Sequence, residues 1–282
     1  MSSLLREIPV PSPIQFSQAS LQDYADCPRR YQLRFELMQP WPALLSGSPL
    51  GAEQHLRRGA DLHRLLHQHT LGIETLQLAA VIESDPNLQR WWQTYLAHPP
   101  ADLPSTVRRP EAVLSAPIAN DRLVARFDLL AVEPGRRLVI VDWKTTLRRP
   151  ARSTLAQRLQ TRVYRYLAVK AGADINAQGP VEPDQVEMMY WFCEFDGVTE
   201  RFPYDADQFA ADESYLTALV REITSRRESV WALTPYEEHC QLCNYRSLCE
   251  RRAMPAFLGD LEDDPESELP EIDIEQVAEV AF

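Results

Sequence analysis

The stretch RLVARFDLLAVEPGRRLVIVDWK, running from Arg122 to Lys144, decides the fold. Its first part, Arg122 to Val132, reads as a strand. Glu133-Pro134-Gly135-Arg136 is turn chemistry. Leu138 to Trp143 is a third strand, apolar enough to be central in a sheet. The strand before these two is Glu111 to Ile118. Three consecutive strands joined by short turns are expected to run antiparallel.

Working outward, helices flank this unit on both sides. Ser17 or Ser20 can cap a short helix over Leu21 to Cys27, and Arg29 to Phe35 resumes a helical pattern after Pro28. Residues 39–50, with three prolines, read as a loop. Glu53 to Leu71 reads as a helix, with Leu56, Ala60, His63 and His67 on one stripe. Residues 75–97 read as one or two more helices, and Pro99, Pro100 and Pro104 end them. Downstream, a helix is expected over 153–171. A hairpin follows over Val186–Phe195 and Val198–Phe202 with Asp196-Gly197 at its turn, and a long helix over 207–231. No internal repeat is visible. The order predicts an α/β protein with a mixed sheet.

The chain has 282 residues and a formal charge of −12, which at face value argues against a nucleic-acid binder. The charge is concentrated, however. Gly259 to Phe282 holds ten acids and no base, which leaves 31 acids against 29 bases in residues 1–258. Nearly every base is Arg: there are 27, against the two lysines Lys144 and Lys170. Lys is the side chain whose charge is most readily tuned for chemistry, so Lys144 at the end of an apolar strand stands out. The N-terminus lacks an apolar signal region, and no apolar run reaches the ~18 residues of a membrane span. A cytoplasmic protein is expected, in which cysteines serve as ligands, catalytic groups or buried thiols.

Two constellations carry chemistry. Cys240, Cys243 and Cys249 form C-x2-C-x5-C and need one more ligand to complete a four-thiolate site. Cys27, in a polar setting before Pro28, suits that role. Cys193, among Tyr190, Trp191, Phe192 and Phe195, suits a buried thiol. Zinc and an iron–sulfur cluster both fit four thiolates. The second constellation is acidic. Adjacent strands can bring Asp128 and Asp142 together, and two carboxylates at one point call for a cation such as Mg²⁺ or Mn²⁺. Lys144, two residues after Asp142, shares its face and can orient a water or stabilise charge on a phosphate. Arg148, Arg149, Arg152, Arg158, Arg162 and Arg165 follow with no acid among them, which suits a phosphate backbone. Gln160 and Tyr164 lie one turn apart on the same helix.

In these residues the chain resembles the PD-(D/E)XK nuclease superfamily, in its RecB-type branch with an iron–sulfur cluster. The matching segments run in order: Ser17 through Tyr31 around Cys27, Gly59-x3-His63, Phe127-Asp128, Val141-Asp142-Trp143-Lys144-Thr145, Gln160-x3-Tyr164 and the Cys240–Cys249 triad. Phe127 stands where the name-giving Pro would, and Ala125 where a Gly is common. The resemblance implies a restriction-endonuclease-like core, a central mixed sheet flanked by helices. A helical N-terminal region and a cysteine-ligated cluster would join the two ends of that core. It implies a Mg/Mn-dependent deoxyribonuclease acting on DNA ends or single strands, as in repair or recombination. A helicase or CRISPR-adaptation partner is a further implication, and a silent DNA-binding subunit the alternative. By the same resemblance, Asp128, Asp142, His63 and the Trp143 carbonyl hold the metal, and Lys144, Gln160 and Tyr164 complete the catalytic set. Cys27, Cys240, Cys243 and Cys249 hold a [4Fe-4S] cluster. Alanine at 142 or 144 is then expected to fold normally and lose cleavage. The expected layout is an extended segment 1–16, one nuclease domain 17–258 and a disordered acidic tail 259–282. The tail is a candidate to dock a partner or compete with DNA.

Overall fold

In a computed structural model, residues 13–39, 49–241 and 243–251 are described. Residues 1–12 of the expected extended segment, most of the proline-rich loop and the acidic tail lie outside them. The chain opens with a two-residue strand, β1 (Gln15–Phe16), then α1 (Gln18–Asp26) and α2 (Pro28–Tyr31), which widens into a π-helical turn over Gln32–Glu36. Ser17 and Ser20 cap α1 reciprocally, each side chain accepting the other's backbone N–H. Next come α3 (Pro49–Thr70), α4 (Thr75–Ile82) and α5 (Pro86–Ala97), and then β2 (Val107–Ile118), β3 (Asp121–Glu133) and β4 (Arg137–Lys144). The second half holds α6 (Arg152–Gln157), α7 (Leu159–Ala171), α8 (Ala173–Asn176), β5 (Val186–Phe192), β6 (Val198–Pro203) and α9 (Ala206–Ser225). Short 3₁₀ turns at Glu237–Cys240 and Arg246–Cys249 close it.

The sheet is mixed, as its strand sequence predicts. β2, β3 and β4 are antiparallel, β4 and β5 parallel, β5 and β6 antiparallel, and β1 lies parallel to the start of β3. Alternate side chains of β4 and β5 feed two cores. Leu138, Ile140, Met188, Tyr190 and Phe192 face Leu21 of α1, Leu159, Val163 and Leu167 of α7, and Leu216 and Val220 of α9. Val139, Val141, Trp143, Met189 and Trp191 face Leu62, Leu65 and Leu66 of α3 and Trp91 and Trp92 of α5. The result is an α/β fold, a mixed sheet flanked by helices on both faces, consistent with a restriction-endonuclease-like core.

The structure departs from the sequence expectation at several places. β2 begins at Val107 rather than Glu111. The helix expected over 153–171 is broken at Arg158, whose ψ of 139° leaves the helical region. Gln22 of α1 accepts the Leu159 N–H there, supplying a partner to the new N-terminus. The helix expected to reach 231 stops at Ser225. Beyond it, Trp231 is buried against Tyr24 and Tyr31, and that packing turns the chain off the helix axis. Strand β1 was not foreseen. The hairpin turn forms at Asp196 and Gly197, both with positive φ. A side chain at Gly197 would meet the His98 carbonyl at 2.7 Å, so the position requires glycine.

Candidate active site

The active-site candidates gather where β3 and β4 part. The ladder between them ends at Leu129↔Val141, leaving the Trp143 N–H without a strand partner. The Asp128 carboxylate takes that N–H through Oδ2 at 2.8 Å. Its Oδ1 lies 3.2 Å from His63 Nδ1 on α3, and His63 Nε2 lies 3.1 Å from the Trp143 carbonyl oxygen. Both ring nitrogens thus face oxygen acceptors. A cation bound between Asp128 and the ring would take the place of a ring proton. Burial pushes the Asp128 carboxyl upward, but His63, the Trp143 N–H and Lys144 together outweigh it and hold it below the usual carboxylate range.

One step along β4, Asp142 and Lys144 are both buried and form an ion pair, Oδ2 to Nζ, at 2.8 Å. Gln160 joins them: its Nε2 donates to Asp142 Oδ1 at 2.7 Å and its Oε1 accepts from Lys144 Nζ at 3.2 Å. The Lys144 ammonium also sits over the Tyr190 ring, 5.5 Å from its centre. Tyr164, one turn beyond Gln160, donates to the Arg126 carbonyl at 2.9 Å and packs on Phe127. It therefore fixes the backbone that leads into Asp128. Burial, then Asp142 and Asp128, raise the Tyr164 phenol well above its ordinary value, so it stays a neutral donor.

Among the described residues, the compact cation-ligating group is His63, Glu111 and Asp128, whose ligand atoms lie within 4.8 Å of one another. Asp142, expected in that group, lies outside it and is engaged by Lys144 and Gln160. Glu111 was read only as the start of a strand. The pairing of β2 with β3 sets Ala112 against Phe127 and Pro110 against Leu129, so Glu111 stands opposite Asp128. Burial and then Asp128 push the Glu111 carboxyl up. His55, eight residues before His63 on α3, was also missed. It is buried, and its Nε2 lies 2.9 Å from the Thr145 carbonyl, just past the end of β4.

The arginines after β4 are largely spoken for. Arg149 and Arg152 pair with Glu200, Arg162 pairs with Asp212, and Arg165 is buried beside Asp212 and the Pro203 carbonyl. These contacts lie some fifty residues away in sequence, where local charge counting could not see them.

The C-terminal segment docks on the α1–α2 corner. The Arg29 N–H donates to the Ala232 carbonyl, and His239 Nδ1 lies 3.0 Å from the Asp26 carbonyl oxygen. Cys27 immediately precedes α2, and Cys240, Cys243 and Cys249 lie on or beside the two 3₁₀ turns. Burial lifts the Cys243 thiol to about 11, with Cys27 and Cys249 pushing the same way against Arg30. Burial, followed by Cys27, likewise raises Cys240 and Cys249. Among the described residues, no three of these sulfurs come within 4.8 Å of one another, so the expected four-thiolate cluster is not assembled as the compact carboxylate–imidazole group is. Cys193 is buried in the separate core with Trp143 and Trp191.

A family model described as the PD-(D/E)XK nuclease superfamily matches residues 15–250. Among solved structures, the chain is similar to SSO0001 at 12% identity and a TM-score of 0.41, covering 86% of this chain and 88% of that one. It is also similar to a candidate exonuclease from Eubacterium rectale at 10% identity and a TM-score of 0.40, covering 87% and 92%. No curated protein matches at the same stringency. Among the described residues, no helix is long and apolar enough to cross a membrane.

Proposed function

Because the chain belongs to the PD-(D/E)XK nuclease superfamily, we propose that it hydrolyses phosphodiester bonds of DNA with Mg²⁺ or Mn²⁺. The observation that carries this reading is the buried Asp142–Lys144 pair, bridged by Gln160 and set beside His63 and Asp128 at the open end of β4. An imidazole nitrogen and carboxylate oxygens suit a hard or borderline divalent cation, and His63, Asp128 and Asp142, with the Trp143 carbonyl, would hold it. When bound, the cation acidifies a water and offsets phosphate charge. Lys144, held in place by Asp142 and Gln160, orients the attacking water and stabilises charge developing on the phosphate. Gln160 locks Asp142 and Lys144 in one geometry, and Tyr164 holds the β3 backbone in place.

Within this reading the four cysteines hold a [4Fe-4S] cluster. Cys27 and Cys240 are buried and Cys243 and Cys249 half-buried, and four sulfur donors from these two segments suit such a centre. Its role is to tie the C-terminal segment to the α1–α2 corner. The proposed unit spans residues 17–258, acts on DNA ends or single strands in repair or recombination, and works alone or with a helicase or CRISPR-adaptation partner. The test is cleavage of end-labelled single- and double-stranded DNA with Mg²⁺, Mn²⁺ or chelator, alongside iron and sulfide analysis of anaerobically purified protein. Metal-dependent cleavage and a brown, iron-containing protein are expected. Intact DNA under every metal would sink the nuclease reading, and a colourless protein rich in zinc would sink the cluster.

A further inference from the structure

We propose that Glu111 is a ligand of the divalent cation, completing a His63–Glu111–Asp128 face to which β2 contributes. The inference rests on the nuclease reading and adds a residue to it. His63 Nδ1 is 3.2 Å from Asp128 Oδ1, and one oxygen of Glu111 joins them within 4.8 Å. Three donors that close can meet at one cation about 2 Å from each, after side-chain shifts of ordinary size.

The sheet itself delivers Glu111 there. Val107 and Ala112 both pack against the core that also takes Leu114 and Ala116, so the in–out alternation of β2 slips by one between 107 and 112. Phe127 and Leu130 of β3 face that same core, so β3 slips as well. The pairing on either side, Pro110↔Leu129 and Ala112↔Phe127, keeps one register. The two slips therefore fall at the same rung. They turn Glu111 and Asp128 away from both cores, toward His63 of α3. Directly opposed carboxylates repel across an antiparallel rung. The guanidinium near Glu111, Arg126 Nε at 3.2 Å, belongs to a half-exposed side chain, and its charge is shared with solvent. A divalent cation between the three donors removes the repulsion directly.

The test uses the full-length protein without DNA. Free Mn²⁺ is followed by electron paramagnetic resonance during titration of wild type, Glu111→Gln and Glu111→Asp. Second-sphere substitutions already weaken metal sites by about 10–100-fold, so loss of a direct ligand should weaken Mn²⁺ binding of Glu111→Gln by about tenfold or more. Glu111→Asp, which keeps the carboxylate, should recover part of that loss. Unfolding in chelator reports on the fold separately, and both variants should remain cooperative. Wild-type Mn²⁺ affinity in Glu111→Gln overturns the inference, as does equal weakening in both variants. The nuclease reading survives either result as long as wild type binds Mn²⁺ and cleaves. Wild type that neither binds the ion nor cleaves would remove the nuclease reading instead.

Discussion

Replacing Lys144 by Met should unfold much of this protein's stability margin, and replacing its partner at the same time should give most of it back. The pair is almost sealed from water, with side-chain exposures of 2% for Lys144 and 4% for Asp142, so solvent screening is negligible. Removing one member of a buried ion pair leaves an uncompensated charge and costs about 3–5 kcal/mol. For a protein of this size each kcal/mol lowers Tm by about 2–4 °C, so Lys144→Met should melt about 6–20 °C below wild type. Asp142→Asn should lose a similar amount by stranding the ammonium. The double variant replaces the pair by an amide and an apolar chain, with Gln160 still able to hydrogen-bond the amide. Such replacements are often near neutral. Urea unfolding of chelator-treated wild type, both single variants and the double variant gives the coupling. A coupling of about 2 kcal/mol or more is expected, against the ~0.5 kcal/mol scatter of independent sites. Additive losses within that scatter would refute the argument. On this geometry alanine at 142 or 144 is expected to cost folding stability as well as cleavage, because both charges are buried together, which the sequence does not reveal.

Three further outcomes follow. Asp128 titrates below its ordinary range in the folded protein, so its ionised form contributes stability above the unfolded pKa of about 3.9, and that contribution is lost as pH falls through the folded value. The stability gap between wild type and Asp128→Asn, measured by urea unfolding in chelator, should therefore be widest near neutral pH and narrow in acid. A gap that widens on acidification would contradict the sign. His55→Ala leaves the buried Thr145 carbonyl without its imidazole partner and should cost about 1–3 kcal/mol. It should also slow cleavage while Mn²⁺ affinity in the titration stays at the wild-type value. Cys240→Ser should lose iron and visible absorbance, and Cys193→Ser, in the other core, should keep both.

The parts of this molecule written in local pattern were legible in the sequence. The strands of the Arg122–Lys144 unit, the Ser17–Ser20 cap and the Asp196-Gly197 turn each depend on neighbours within a few residues. The grouping of Asp128, Asp142 and Lys144 followed from strand pairing and alternation, Gln160 joined them only through the family resemblance, and the structure gathers all four at one end of β4. What escaped depends on distant pairing. Glu111 is set against Asp128 only by the β2–β3 register and its shared slip. His55 touches a carbonyl ninety residues away. The arginines after β4 look like a free basic run until Glu200 and Asp212 come into place. Helix α9 ends where Trp231 finds Tyr24 and Tyr31, a contact with no local trace. The ligand sets overlap without coinciding: pattern alone pairs Asp128 with Asp142, whereas the fold groups Asp128 with His63 and Glu111 and gives Asp142 to Lys144.

The central claim is that the end of β4 is a metal-dependent phosphodiesterase centre. It is tested most directly by incubating end-labelled DNA with wild type and with Asp142→Asn/Lys144→Met, the double variant expected to keep its fold, in Mn²⁺ and in chelator. The account predicts cleavage by wild type in Mn²⁺ alone and none by the folded double variant. Cleavage by the double variant at the wild-type rate, or by wild type in chelator, would contradict it.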